Sequence, residues 1–172
     1  MAASLLWMAA IFAMSARPAD DSAMDSHRAG RLVLSVFYPP FKDLPAADQE
    51  ILVARVDYPV RKAAHASEYA VLGALYGLTV LVFVETKRTP DRELSVTNGK
   101  TPRAQEPLWA CFPLHTAWCA AVLYAATDEF HQLFVPGRSG KVTDVLIDAA
   151  GAAVGVMIVC WVRRKHPERS VR

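Results

Sequence analysis

The chain lacks the residues and spacings that most metal and covalent chemistry requires. Only three cysteines occur, Cys111, Cys119 and Cys160, and all fall inside apolar segments. A thiol in such a place is more often a small packing residue than a disulfide partner or a metal ligand. No CxxC or HExxH spacing is present, so no metal and no cofactor is expected. Ser67 and Ser139 stand near polar clusters, but neither has a nucleophile signature. Net charge is only +2 over 172 residues, which gives no electrostatic footprint for nucleic acid. No positively charged stretch precedes the first apolar segment. Residues 1–16 are read as a retained helix, although Ala13-Met14-Ser15-Ala16 resembles a signal cleavage site.

What the chain does have is apolar surface. Hydrophobic residues make up 53% of it, too many for an ordinary soluble domain, and the length allows one membrane domain. Four apolar segments stand out, at about 1–16, 63–84, 107–126 and 145–162. The last three approach the ~20 residues that cross a bilayer as a helix. Backbone groups in lipid need partners within their own segment, so helices are expected throughout. The expected fold is all-α, a polytopic membrane protein with a four-transmembrane-helix bundle, as one domain over 1–172.

The connecting segments differ in charge. Residues 17–62 hold seven Lys/Arg and seven Asp/Glu, interrupted by Pro39-Pro40 and Pro45. The apolar run at 32–37 suits a segment on the membrane surface, and 46–56 suits a short amphipathic helix; a plain connecting loop is the alternative. Residues 85–106 read as a flexible loop with five Lys/Arg, and the tail 163–172 carries five more. With four spans, this loop and this tail share a side, and the excess of cations makes that side cytoplasmic. Both termini are then inside, and 17–62 and 127–144 face out. Two polar clusters meet at that outer face by topology alone.

The first cluster opens the second apolar segment. His65, Glu68 and Tyr69 fall at i, i+3 and i+4, on one helix face, with Arg61 a turn earlier. A carboxylate at Glu68 is expected to face the bundle interior, either protonated or paired with a cation such as Arg138. The second cluster closes the third segment with Asp128, Glu129, His131 and Gln132. Acids at a helix C-terminus oppose the helix dipole, so two in succession point to a salt bridge, a cation or a proton-transfer step. Pro136-Gly137-Arg138-Ser139-Gly140 forms a turn able to aim Arg138 back at the acids, where its fork suits a carboxylate or a phosphate. In the fourth segment Asp144, Asp148, Gly151 and Gly155 share one face. Asp148 costs about 2.5–3.5 kcal/mol if it faces lipid at mid-membrane, so it should face protein. Gly151-x-x-x-Gly155 permits close helix packing.

The run Asp128-Glu129-Phe130-His131-Gln132-Leu133-Phe134-Val135-Pro136-Gly137-Arg138-Ser139-Gly140, followed by Asp144 and Asp148-Ala149-Ala150-Gly151, resembles the signature of the VanZ-like family. Arg61-Lys62-x-x-His65-x-x-Glu68-Tyr69-x-x-Leu72-Gly73 is similar to that family's other motif. Ile11-Phe12-x-x-Ser15 looks like the end of its first helix. Asp148 is a departure, since many members have asparagine there. The resemblance implies a bacterial inner-membrane protein of the cell envelope, from a family whose founding member is associated with low-level teicoplanin resistance and whose biochemical activity is open.

Three functions remain in view. The first is an envelope protein that binds membrane lipids or a lipid-linked, anionic precursor through Arg61, His65, Glu68, Tyr69, Asp128, Glu129, His131, Gln132, Arg138, Asp144 and Asp148. The second is a membrane-embedded hydrolase or transferase acting on a phosphorylated or glycan-bearing lipid. Its catalytic candidates are His65, Glu68, Asp128 and Glu129, with Arg138 as anion anchor. The third is a transport path, for which four helices are few unless the chain forms a homo-oligomer.

Overall fold

The computed structural model describes the backbone of residues 1–97 and 114–165 and the side chains of 1–84 and 114–165. Among the described residues the chain is all-helical. Its elements are α1 (Ala2–Ser15), α2 (Ala19–Phe37), a short 3-10 helix (Pro39–Asp43), α3 (Ala46–Thr97), α4 (Leu114–Gln132) and α5 (Val142–Lys165). Helices α1, α3, α4 and α5 form the expected bundle. By length and composition, α3 over Ala46–Val84 and α5 are each able to cross a membrane, and α1 with α2 pass the same test only as a bent pair. The 14 residues of α1 rise about 21 Å, less than the ~30 Å hydrocarbon core.

Two boundaries differ from the sequence reading. Most of 17–62 is helical: α2 fills its first half, and α3 begins at Ala46 and runs on without a break into the apolar segment. Pro39 and Pro40 lie in the 3-10 turn, and Pro45 directly precedes α3, so these prolines sit where backbone donors are dispensable. Pro59 lies within α3, where it cannot donate to the Arg55 carbonyl. The second difference is at 85–106, where α3 stays helical to Thr97 in place of a loop. The rest of that segment, the start of the third apolar segment and the tail from 166 lie outside the described residues.

Helices α3 and α5 run parallel at very close range. A Cβ placed on Gly155 would stand 1.9 Å from the Ala70 carbonyl oxygen, and one on Gly151 would stand 2.1 Å from that of Ala66. Gly73 repeats the contact in reverse, at 2.3 Å from the Ala152 oxygen. Glycine is required at all three because the facing backbone occupies the space of a side chain. Helix α4 runs antiparallel to them, burying Ala117, Ala121 and Ala125. Helix α1 closes the core: Ile11 packs with Tyr69, Leu72, Ala121, Ala125 and Ala152. Two indole and phenol donors reach backbone acceptors here, Trp7 Nε1 to the Glu68 carbonyl at 2.9 Å and the Tyr124 hydroxyl to the Met8 carbonyl at 2.7 Å.

Candidate functional site

The end of the bundle where α1 and α4 finish and α5 begins is polar. The turn between α4 and α5 shapes it. The Arg138 N–H donates to the Val135 carbonyl at 3.1 Å, and Gly137 has φ +74°. With Pro136 before it, this fits a type II turn, which needs a positive φ at its third residue. The Pro136 carbonyl accepts from Ala19 N–H at 3.2 Å, docking the turn on the start of α2.

Arg138 does not clamp a carboxylate. Its Nε donates to the Arg17 carbonyl at 3.1 Å, Nη1 to Gln132 Oε1 at 3.3 Å, and Nη2 to the Met14 carbonyl at 3.5 Å. It therefore adds donors to two carbonyls at the end of α1, that of Met14 also accepting from the Arg17 N–H, and among the described side chains it forms no ion pair with Glu68. Burial, and then the nearby Arg61 charge, lower its pKa from the ordinary arginine value.

The two acids closing α4 have separate jobs. Asp128 is 2% exposed, and its Oδ2 accepts from Ser15 Oγ at 2.7 Å and Gln132 Nε2 at 3.2 Å. Glu129 Oε2 accepts from the Lys141 backbone N–H at 2.8 Å, just before the first turn of α5. An acid disfavoured by the dipole of its own helix is thus placed at the positive end of the next one. Its neighbour Gly140 has to be glycine, since a Cβ there would lie 2.3 Å from the Glu129 carbonyl oxygen.

Asp144 lies in the first turn of α5 and pairs with Lys62. Asp148 is fully buried, one turn deeper, with His65 Nδ1 at 3.9 Å from its Oδ1. Arg61 donates to Asp57 Oδ2 at 3.0 Å and Ser26 Oγ at 3.3 Å.

Between these elements lies a cavity of about 160 Å³. Of the residues singled out in the sequence, Arg61, His65, Gln132, Arg138 and Asp144 line it. Asp148 lies behind His65. Asp128, Glu129 and Tyr69 belong to the buried layer beneath. Glu68 is half-buried on α3, and His131 turns instead to α1, its ring 4.5 Å from that of Phe12. Lys62, Lys141 and Tyr58 also line the cavity and were missed as site residues. Lys62 and Lys141 both lie inside the polar stretches already singled out, and that placement was the available signal. Four cations, Arg61, Lys62, Arg138 and Lys141, thus face one acid, Asp144.

The cavity wall and the residues packed behind it are short of partners. Among the described side chains, buried atoms without a hydrogen bond are Arg61 Nε, His65 Nδ1, the Tyr69 hydroxyl, Asp128 Oδ1, Glu129 Oε1, His131 Nδ1 and both Asp148 oxygens. Buried polar groups are normally paired, so such a concentration marks a place for water or a ligand. No group of three His, Cys, Asp or Glu side chains among the described residues is arranged to hold a metal ion.

The model of the family described as VanZ/LLP1 matches residues 1–163. The chain belongs to the VanZ/LLP1 family. No curated protein and no solved structure matches it. The match takes in every element that builds the VanZ/LLP1 site, from α1 through the start of α5.

Proposed function

We propose that this VanZ/LLP1 protein is a multi-pass protein of the bacterial cytoplasmic membrane, with both termini inside, that binds an anionic envelope ligand at its outer face. The ligand is the headgroup of a membrane lipid or of a lipid-linked precursor. The observation that carries the reading is the cavity lined by Arg61, Lys62, Arg138 and Lys141 with a single acid, Asp144. Arginine and lysine donors in a half-enclosed space suit phosphate oxygens, where charge-assisted hydrogen bonds are strongest. The purified protein in a neutral detergent should bind dodecyl phosphate and not dodecylphosphocholine. Lys141→Gln should weaken that binding about ten- to a hundredfold, the order expected when one charged donor is lost at about 1.5–3 kcal/mol. Equal affinity for both amphiphiles would overturn the anion-site reading.

One observation supports a catalytic version. The free oxygens of Asp128, Glu129 and Asp148 lie beneath the same cavity, within the unpaired layer. Acids there would serve proton transfer to a phosphorylated or glycan-bearing lipid. Glu129→Gln keeps an acceptor for the Lys141 N–H, so fold and ligand binding should persist while turnover falls at least a hundredfold. Retained turnover would leave binding alone. The link to glycopeptides is testable in a sensitive Gram-positive host. Expression of the wild type should raise teicoplanin tolerance, and Lys141→Gln at equal membrane level should not. An unchanged response to teicoplanin with well-expressed wild type would cut that link.

A further inference from the structure

We propose that the group this cavity selects is a phosphate monoester, with two charges on one phosphorus, in preference to the phosphodiester headgroups of bulk phospholipids. The inference rests on the anion-site reading above and narrows it. It comes from which cations of the wall already have a carboxylate. Arg61 donates to Asp57 Oδ2 at 3.0 Å. Lys62 is held by Asp144, and water screens that pair little, since the two side chains are only 16% and 13% exposed. Arg138 donates to neutral acceptors, the Arg17 and Met14 carbonyls and Gln132 Oε1. Lys141 is exposed in the wall, and among the described side chains its ammonium pairs with no carboxylate. The charges of Arg138 and Lys141 are therefore left for a ligand to match. The acids behind the wall have donors of their own, Ser15 and Gln132 for Asp128 and the Lys141 N–H for Glu129. Glu68 and Asp148 do not line the cavity.

Coulomb energy scales with the product of the charges, so a wall with unmatched cations attracts a doubly charged group more than a singly charged one at every distance. A phosphate monoester loses its second proton near about pH 6, whereas a diester has only one charge to offer. The monoester also presents three terminal oxygens where a diester presents two. Arg138 and Lys141 can meet two of them, and the hydroxyls of Ser139 and Tyr58, both in the wall, are donors for the third. A membrane surface offers diester headgroups in large excess, and a cavity without this preference would fill with them. Asp144 sets the size of the preference. By holding Lys62 it keeps the wall at two unmatched cations and not three.

The test measures binding to the full chain in a neutral detergent at about pH 8.5, where a monoester is doubly charged and an ordinary imidazole is neutral. The probes are dodecyl phosphate and dodecyl methyl phosphate, a monoester and a diester with the same alkyl chain. The wild type should bind the monoester at least about tenfold more tightly. Lys141→Gln should weaken the monoester about ten- to a hundredfold and the diester by the square root of that, about three- to tenfold, because the lost charge acts on half the ligand charge. Asp144→Asn frees Lys62 and should act in the opposite sense, tightening the monoester about tenfold and the diester about threefold. The double variant should return both probes close to wild-type affinity. Equal affinity of the wild type for the two probes, with both bound more tightly than dodecylphosphocholine, would overturn the monoester and leave the anion site standing. Equal fold-changes for the two probes in Lys141→Gln would also overturn it, since a lost contact or a disturbed fold acts on both alike. Competition by methyl phosphate at the concentrations where dodecyl phosphate binds would identify the monoester as a soluble one. Its failure to compete would identify a lipid-linked one, and either result upholds the class.

Discussion

Gly155→Val should abolish the folded monomer in mild detergent, and Gly155→Ala should cost more than the ~1–3 kcal/mol usual for an overpacked core. The reason is where the clash falls. The nearest atoms to a Cβ at Gly155 are the Ala70 oxygen at 1.9 Å, the Ala70 carbon at 2.8 Å and the Ala74 nitrogen at 2.9 Å, all backbone. No rotamer change relieves such a contact, so α3 and α5 have to part. Parting them removes the packing of Ala152 against Tyr69 and Leu72 and widens the separation of His65 from Asp148. Gly77→Ala is the control, since its Cβ would meet only side chains of Leu114 and Val159 at 3.5 Å or beyond, an ordinary contact. Monomer yield by size-exclusion chromatography and thermal unfolding in detergent read the difference. A Gly155→Val protein as stable as Gly77→Ala would show that the helices do not touch in this way.

Asp128→Ala should lower stability by about 2–6 kcal/mol, the sum of two buried donors left unpaired at about 1–3 kcal/mol each. Ser15 and Gln132 both donate to the same carboxylate oxygen. Gln132 also holds Arg138, which in turn holds the end of α1, so the loss spreads along a chain of four side chains and two carbonyls. Asp128→Asn should cost much less, because its amide oxygen still accepts from either donor. Denaturant titration of the three proteins distinguishes these outcomes, and equal loss from alanine and asparagine would mean that charge rather than bonding matters at this position.

The apolar segments and both polar clusters were legible in the sequence, because lipid allows a helical span little else and because polar residues at span ends stand out against it. The partners within the clusters were less so. A turn that aims Arg138 at the acids is visible in Pro136-Gly137, but nothing in the sequence says that the carbonyls of α1 would claim the guanidinium first. The same holds for Glu129, whose placement depends on where α5 starts in space. Helix α2 was hidden for a different reason. Its three aspartates and two arginines read as a solvated loop, while the contacts that stabilise it, Ser26 with Asp57 and Arg31 with Glu50, join residues far apart along the chain. Pro59 shows the converse: a residue that usually ends a helix is tolerated within α3.

The backbone contact between α3 and α5 has a mechanical side. Two helices that touch without intervening side chains have no rotamers to exchange and no layer along which to slide. They form a stiff pair, and Lys62, His65, Asp144 and Asp148 are all mounted on it. The parts of the site joined instead by hydrogen bonds are the end of α1 and the α4–α5 turn. Arg138 joins those two parts, so one wall of the site is packed backbone and the other is held by a single guanidinium.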